Sequence, residues 1–157
     1  MRKLFVLAVS FVALAATATA LAAPRASGRR EASVTISTRT LPGLGKVLVD
    51  SRGRTLYMFV PDKRTKVTCV NTCAAIWPPV EAAKGEKLVA AHGAKTALLG
   101  LDRNPTGGFV VTYAKWPLYT YVTDTKPGQA TGQAVDSAGG LWYVLSPSGK
   151  VIKKKAG

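Results

Sequence analysis

Tyr57-Met58-Phe59-Val60-Pro61-Asp62 and Tyr119-Thr120-Tyr121-Val122-Thr123-Asp124 place a tyrosine, a second aromatic and a carboxylate at one spacing, twice. Two carboxylates brought together could hydrolyse a glycosidic bond, which needs a separation of ~5 to 9 Å. Asp62 and Asp124 share one local context, however, and nothing separates a proton donor from a base. Paired aromatics with a carboxylate also suit the stacking of a sugar or a flat cofactor. A structural role is the simpler expectation. On a strand, Tyr57 and Phe59 share one face, as do Tyr119 and Tyr121, and such faces build cores. Each aspartate then falls just past a strand end, where its oxygen can cap the following turn. A buried tyrosine hydroxyl needs a partner, and backbone or aspartate would supply one.

Cys69 and Cys73 stand four apart in C-V-N-T-C. In an exported chain an even count favours a disulfide that staples a local turn. The other chemistry open to this pair is redox or metal handling, with Met58 or His92 assisting. The spacing lacks the histidine of a haem-attachment pair, and no further ligand set accompanies it. His92 is the sole histidine, no G-x-S-x-G surrounds any serine, and nucleophilic catalysis has no apparent base. The residues call for no metal and no cofactor. Trp77 and Trp142 read as core. Trp116 sits at a hairpin bend beside Lys115, either packed over the hairpin edge or exposed as a candidate contact for a sugar or headgroup.

These residues need elements to hold them. Val47 to Val49, the turn Asp50-Ser51-Arg52-Gly53 and Thr55 to Val60 form a hairpin pattern, with Asp first and Gly fourth in the turn. Phe109 to Thr112, a turn over Tyr113 to Trp116 and Leu118 to Val122 repeat it. A third hairpin runs from Leu141 to Leu145, turns at Ser146 to Gly149 and returns through Val151-Ile152. Cys73 to Trp77 suits a single helical turn stopped by Pro78-Pro79. Glu81 to Leu101 is ambiguous between helix and broken pieces, and Asp124 to Gly140 reads as a long loop.

At the N-terminus, Arg2 and Lys3, the apolar run Leu4 to Ala16 and small residues to Ala23 form a secretory signal peptide, 1–22, with cleavage expected after Ala22. About 135 residues remain, enough for one domain. Of the formal charge of +14, two units belong to the signal, three to a disordered basic linker over 23–42, and four to a basic tail over 150–157. The body, 43–149, keeps 14 − 2 − 3 − 4 = +5. Basic flanks favour an anionic envelope polymer or a membrane surface as partner, and argue against nucleic acid for a secreted protein.

Shifting the chain by 62 places lays Gly45 to Asp62 on Gly107 to Asp124 without a gap, with identities at Gly45/Gly107, Val49/Val111, Leu56/Leu118, Tyr57/Tyr119, Val60/Val122 and Asp62/Asp124. Two copies of about 45–80 and 107–145 are implied, each covering the apolar face of the other. The expected fold is mainly β: duplicated β-hairpin units in a small antiparallel β domain with one or two short helical segments. With L-V-D-S-R-G-R-T-L-Y, C-x-x-x-C-A-A-I-W-P-P, P-L-Y and G-G-L-W-Y-V-L-S-P-S-G, the paired motif resembles secreted bacterial repeat proteins, often lipoproteins, with a Y-x-[FWY]-x-x-D motif and unknown function. The resemblance implies compartment and fold and no activity. No cysteine follows the signal to carry a lipid, so a free soluble form is expected. The reading is an exported, non-catalytic binding or structural module at the cell envelope. Its alternatives are redox or metal handling at Cys69 and Cys73 and, third, a carboxylate-based hydrolase.

Overall fold

The computed structural model describes residues 32–64 and 66–155. The expected signal peptide, the first part of the basic linker and the last two residues lie outside them. The fold begins ten residues earlier than Gly43. Strand β1, Ser33–Leu41, occupies the second half of the segment read as a disordered linker. Val34, Thr35, Ile36, Thr38 and Thr40 are β-branched, and Ile36 is wholly buried, so these residues suit a half-buried strand. β1 pairs antiparallel with β2, Gly45–Asp50, from Ile36 opposite Asp50 to Leu41 opposite Gly45. Gly43, at φ 71°, turns the chain between them.

The first expected turn forms, with Asp50 Oδ1 accepting the Arg52 and Arg54 N–H groups at 2.9 Å each. Gly53 takes φ 78° beside it. The hairpin then opens after Val49 meets Thr55 and the Leu56 N–H reaches the Leu48 carbonyl. The next strand, β3 (Tyr57–Phe59), abandons β2 and joins a strand of the second copy.

After β3 a 3-10 turn over Val60–Asp62 precedes the helix α1, Thr72–Ile76, which ends at Trp77 before Pro78 as expected. The ambiguous stretch resolves into short strands, β4 (Glu81–Ala82), β5 (Lys87–Ala90) and β6 (Leu99–Arg103), with one 3-10 turn over Thr96–Leu98. β7 (Phe109–Tyr113) and β8 (Trp116–Pro117) form a hairpin whose turn is only Ala114-Lys115, both at positive φ. The region read as loop from Asp124 ends in β9 (Asp136–Ser137), which pairs with β10 (Gly140–Val144). Three small sheets result: β2-β1-β5, β3-β10-β9, and β4-β7-β6 with β8 beside β7.

The third hairpin closes through a bridge between Leu145 and Val151. Part of the expected basic tail therefore belongs to the domain. Val151 and Ile152 pack on the core, and the Gln133 Nε2 donates to the carbonyls of Ile152 and Lys154 at 2.6 and 2.7 Å.

The two copies meet at Tyr57 and Tyr119. Each donates its N–H to the other's carbonyl, at 2.8 and 2.9 Å, as an antiparallel bridge. These are equivalent positions of the repeat, so a local two-fold axis passes between them. Alternation along β3 divides the core: Tyr57 and Phe59 enter an aromatic cluster with Cys69, Trp77, Tyr119 and Trp142, whereas Leu56 and Met58 enter an aliphatic cluster with Ile36, Leu48, Val111 and Leu118.

Candidate functional site

The paired motif forms one reciprocal structure across the axis. The Tyr57 hydroxyl donates to Asp124 Oδ2 at 2.6 Å, and the Tyr119 hydroxyl donates to Asp62 Oδ2 at 2.8 Å. Each aspartate therefore serves the tyrosine of the other copy. The second carboxylate oxygen holds the loop that follows. Asp62 Oδ1 accepts the Thr68 N–H at 2.8 Å and its hydroxyl at 2.6 Å, and Asp124 Oδ1 accepts the Thr131 N–H at 3.0 Å and its hydroxyl at 2.6 Å. The aspartates thus clasp loops six and seven residues on, a longer reach than a cap on the adjoining turn. The Gly132 N–H completes the shell of the Tyr57 hydroxyl at 3.3 Å.

Burial is deep: both tyrosines and Asp62 are 0% exposed and Asp124 is 4% exposed. Burial is the first cause that pushes both tyrosine hydroxyls far above their ordinary range; for Tyr57 the hydrogen bond to Asp124 adds to it, and for Tyr119 the charge of Asp62 does. Asp62 is also raised, chiefly by burial and further by nearby Asp102, against hydrogen bonds from Thr68 and Tyr119 that favour the ionised form. At neutral pH each hydroxyl keeps its proton and is a donor.

The interface between copies is filled by rings. Trp77 stacks on Trp142 at 3.9 Å and 1°, Tyr121 stacks on the far side of Trp77 at 4.0 Å, and Phe59 stacks on the far side of Trp142 at 4.2 Å. Tyr57 meets Trp77 edge-on at 5.4 Å, and Tyr119 meets Trp142 edge-on at 5.2 Å. The middle aromatic of each motif therefore stacks on the tryptophan of the other copy. The edge-on contacts suit the ring quadrupoles, and the stacked rings bury large apolar faces. The aromatic and carboxylate groups that could have lined a cleft fill the interface instead.

Cys69 and Cys73 form a disulfide, and Cys69 is buried under Trp77. Met58 lies in the opposite cluster, and His92 is exposed on the turn after β5, its carbonyl accepting the Thr38 hydroxyl. The structure does not bring these two to the cysteines. Trp116 packs its ring on the aliphatic cluster and remains half-exposed, with the Arg64 guanidinium 5.5 Å above it. Lys115 is exposed at the neighbouring turn.

Thr68 and Thr131 were missing from the sequence reading, although a one-residue gap after the motif would have aligned them. Tyr113 was missing too: its hydroxyl accepts the Lys95 N–H at 2.8 Å and donates to the Pro147 carbonyl at 2.7 Å. Asp102 is a further omission, partly buried, raised by that burial, with Oδ2 unpaired.

Fold and site together define a class: a small exported-type β domain made of two copies locked through crossed tyrosine–aspartate bonds. The chain matches the family described as a secreted repeat of unknown function over residues 39–81 and 101–146, and it belongs to that family. Each matched stretch opens six residues before the copy boundaries read at 45 and 107, consistent with a repeat that includes the strand before each hairpin. No curated protein and no solved structure matches the chain.

Proposed function

We propose that the protein is a non-catalytic binding or structural module acting at the cell envelope. One observation carries this reading: both motif carboxylates are buried and spent on cross-copy bonds, each oxygen accepting from a tyrosine or from a threonine. A general acid or base must reach a proton on its substrate. Asp62 and Asp124 face the protein instead, and the disulfide leaves no free thiol among the described residues. The motif then acts as a latch between copies, and the outer surface is left for recognition.

The test is a double-mutant cycle on one latch. Tyr119→Phe and Asp62→Asn should each lower unfolding free energy by about 1 to 3 kcal/mol, since each leaves a buried polar partner unpaired. The double variant should cost less than the sum. The pH dependence sharpens the test. Asp62 holds its proton above the ordinary value of 3.8, so its contribution is fully present below that value and is lost as pH rises through the native pKa. Asp62→Asn should remove that slope in urea titrations. Unchanged stability accompanied by loss of a catalysed turnover would make these carboxylates catalytic and overturn the reading.

A further inference from the structure

We propose that the groove between the Ala114-Lys115 turn and the C-terminal hairpin binds an anionic sugar chain, an inference that rests on the binding-module reading above. The groove encloses about 530 Å³ and gathers Arg64, Lys115 and Lys150 from three distant parts of the chain, with no carboxylate on its walls. That volume falls within the range of ordinary ligand sites. Among the described residues the ion pair is Arg54 with Asp50, at another turn, so the three cations of the groove are unpaired. Like charges gathered on a concave wall focus a positive potential, and a bound polyanion relieves their repulsion.

The walls are built rather than incidental. Ala114 donates its N–H to the Leu98 carbonyl at 2.8 Å, and behind the groove the Tyr113 hydroxyl ties Lys95, before the 3-10 turn, to Pro147 of the C-terminal hairpin. Gly149, at φ 78°, lets the hairpin turn seat against the floor, because a Cβ there would lie 2.4 Å from that of Ala114. This close approach brings Lys150, the next residue, to the groove that Lys115 lines. Arg64 is steered by its contact with the Trp116 ring, which a cation over an indole stabilises.

A sugar chain is favoured over a bilayer by what the groove lacks. Leu98 and Leu99 line the groove but are half-buried in its wall, and the exposed large apolar residues among those described, Val60, Ile76, Leu101, Val122 and Leu141, lie outside it. A membrane surface needs an apolar side chain to insert or a convex basic face to lie flat. A concavity lined by three cations and Ser148 suits a chain of linked, charged rings.

The experiment titrates the secreted protein with an oligogalacturonate of defined length, following tryptophan fluorescence and heat, beside a neutral malto-oligosaccharide and phosphatidylglycerol vesicles. Oligogalacturonate should bind, more weakly as salt rises, and the neutral sugar should not. Lys115→Gln/Lys150→Gln should weaken binding on the order of tenfold with an unchanged melting temperature. Neutralising Lys153, Lys154 and Lys155 of the tail should change it far less. Equal losses in the two variants would mean that diffuse charge is responsible and would overturn the groove. So would binding of the vesicles without the oligosaccharide, or equal binding of the neutral sugar. The sugar recovered after incubation is weighed by mass spectrometry. Unchanged length supports the non-catalytic reading, whereas bound and shortened sugar overturns that reading and leaves the groove standing.

Discussion

Between the motif aspartate and the stacked tryptophan, the first copy runs from Asp62 to Trp77 and the second from Asp124 to Trp142, and these stretches reach equivalent endpoints by different means. In the first, the loop passes Thr68, is stapled by Cys69–Cys73 and delivers its tryptophan from α1. In the second, the loop passes Thr131, is held by the Gln133 side chain and delivers its tryptophan from β10. The anchors are common to both: tyrosine, aspartate, threonine and tryptophan. What fills the space between them is helix in one copy and hairpin in the other. The comparison teaches that the latch and the ring stack define the repeat, and that the intervening chain is free to close its loop by whichever local device it can form.

If the stack is a shared structure, its central rings should be worth nearly the same in both copies. Trp77→Ala and Trp142→Ala should each cost about 3 to 5 kcal/mol, the range for emptying a large aromatic site. Against a total stability of about 5 to 15 kcal/mol for a domain, either loss leaves a marginal protein. Because the rings touch, the double variant should cost less than the sum. Urea unfolding measures all three. A cheap Trp142→Ala beside a ruinous Trp77→Ala would show that the first copy carries the fold and that the symmetry is only apparent.

The loop closures come next, each expected to contribute about 2 kcal/mol. The Cys69–Cys73 loop is short, and the chain-entropy account gives a bridge of that size about 2 kcal/mol. Cys69→Ala/Cys73→Ala should lower the melting temperature accordingly, and a reducing agent should do the same to the parent protein. Gln133→Ala is the counterpart in the second copy. It removes the acceptor of the Val144 N–H and the donor to the Ile152 and Lys154 carbonyls, a buried network whose loss should cost a similar amount. The Gln133 variant should still respond to reductant. If it no longer does, the closures are coupled and the copies are not independent units.

Much of this architecture can be read before folding, and the unread part has physical reasons. The gapless alignment of Gly45 to Asp62 with Gly107 to Asp124 foretells the two copies, and period-two spacing places Tyr57 with Phe59. β1 escapes notice because Ser33 to Thr40 is rich in polar side chains and follows a stretch of Pro, Gly and Arg; its neighbours β2 and β5 are what make it a strand. The partner of each tyrosine is hidden for another reason. Tyr57 bonds an aspartate 67 residues away in place of the one in its own motif, and local spacing cannot tell these apart. The groove at Lys115 is similarly non-local, since Lys150 joins it through the turn at Gly149 and Arg64 through its contact with Trp116. Of that site the sequence marks Lys115, with its neighbour Trp116, and Lys150 as the start of the basic tail, but not their meeting with Arg64.

The smallest effects should come from the turns that admit each closure. Asn71, just before α1, has φ 54° and ψ −120°, a region where a Cβ is crowded and glycine is at ease. Ala138, between β9 and β10, has φ 57° and precedes Gly139 at φ 86°, the two positive angles of a tight hairpin turn. Both side chains are exposed, so replacing them sacrifices no packing. Asn71→Gly should stabilise by about 1 kcal/mol through released strain, less the extra freedom glycine gives the unfolded chain. Ala138→Asn creates Asn-Gly, the pair best suited to such a turn, and should add a few tenths of a kcal/mol. Thermal melts would register the two as small upward shifts. A fall on Asn71→Gly would mean that the asparagine side chain itself holds the first loop, and that the two copies differ in how their closures begin as well as in what fills them.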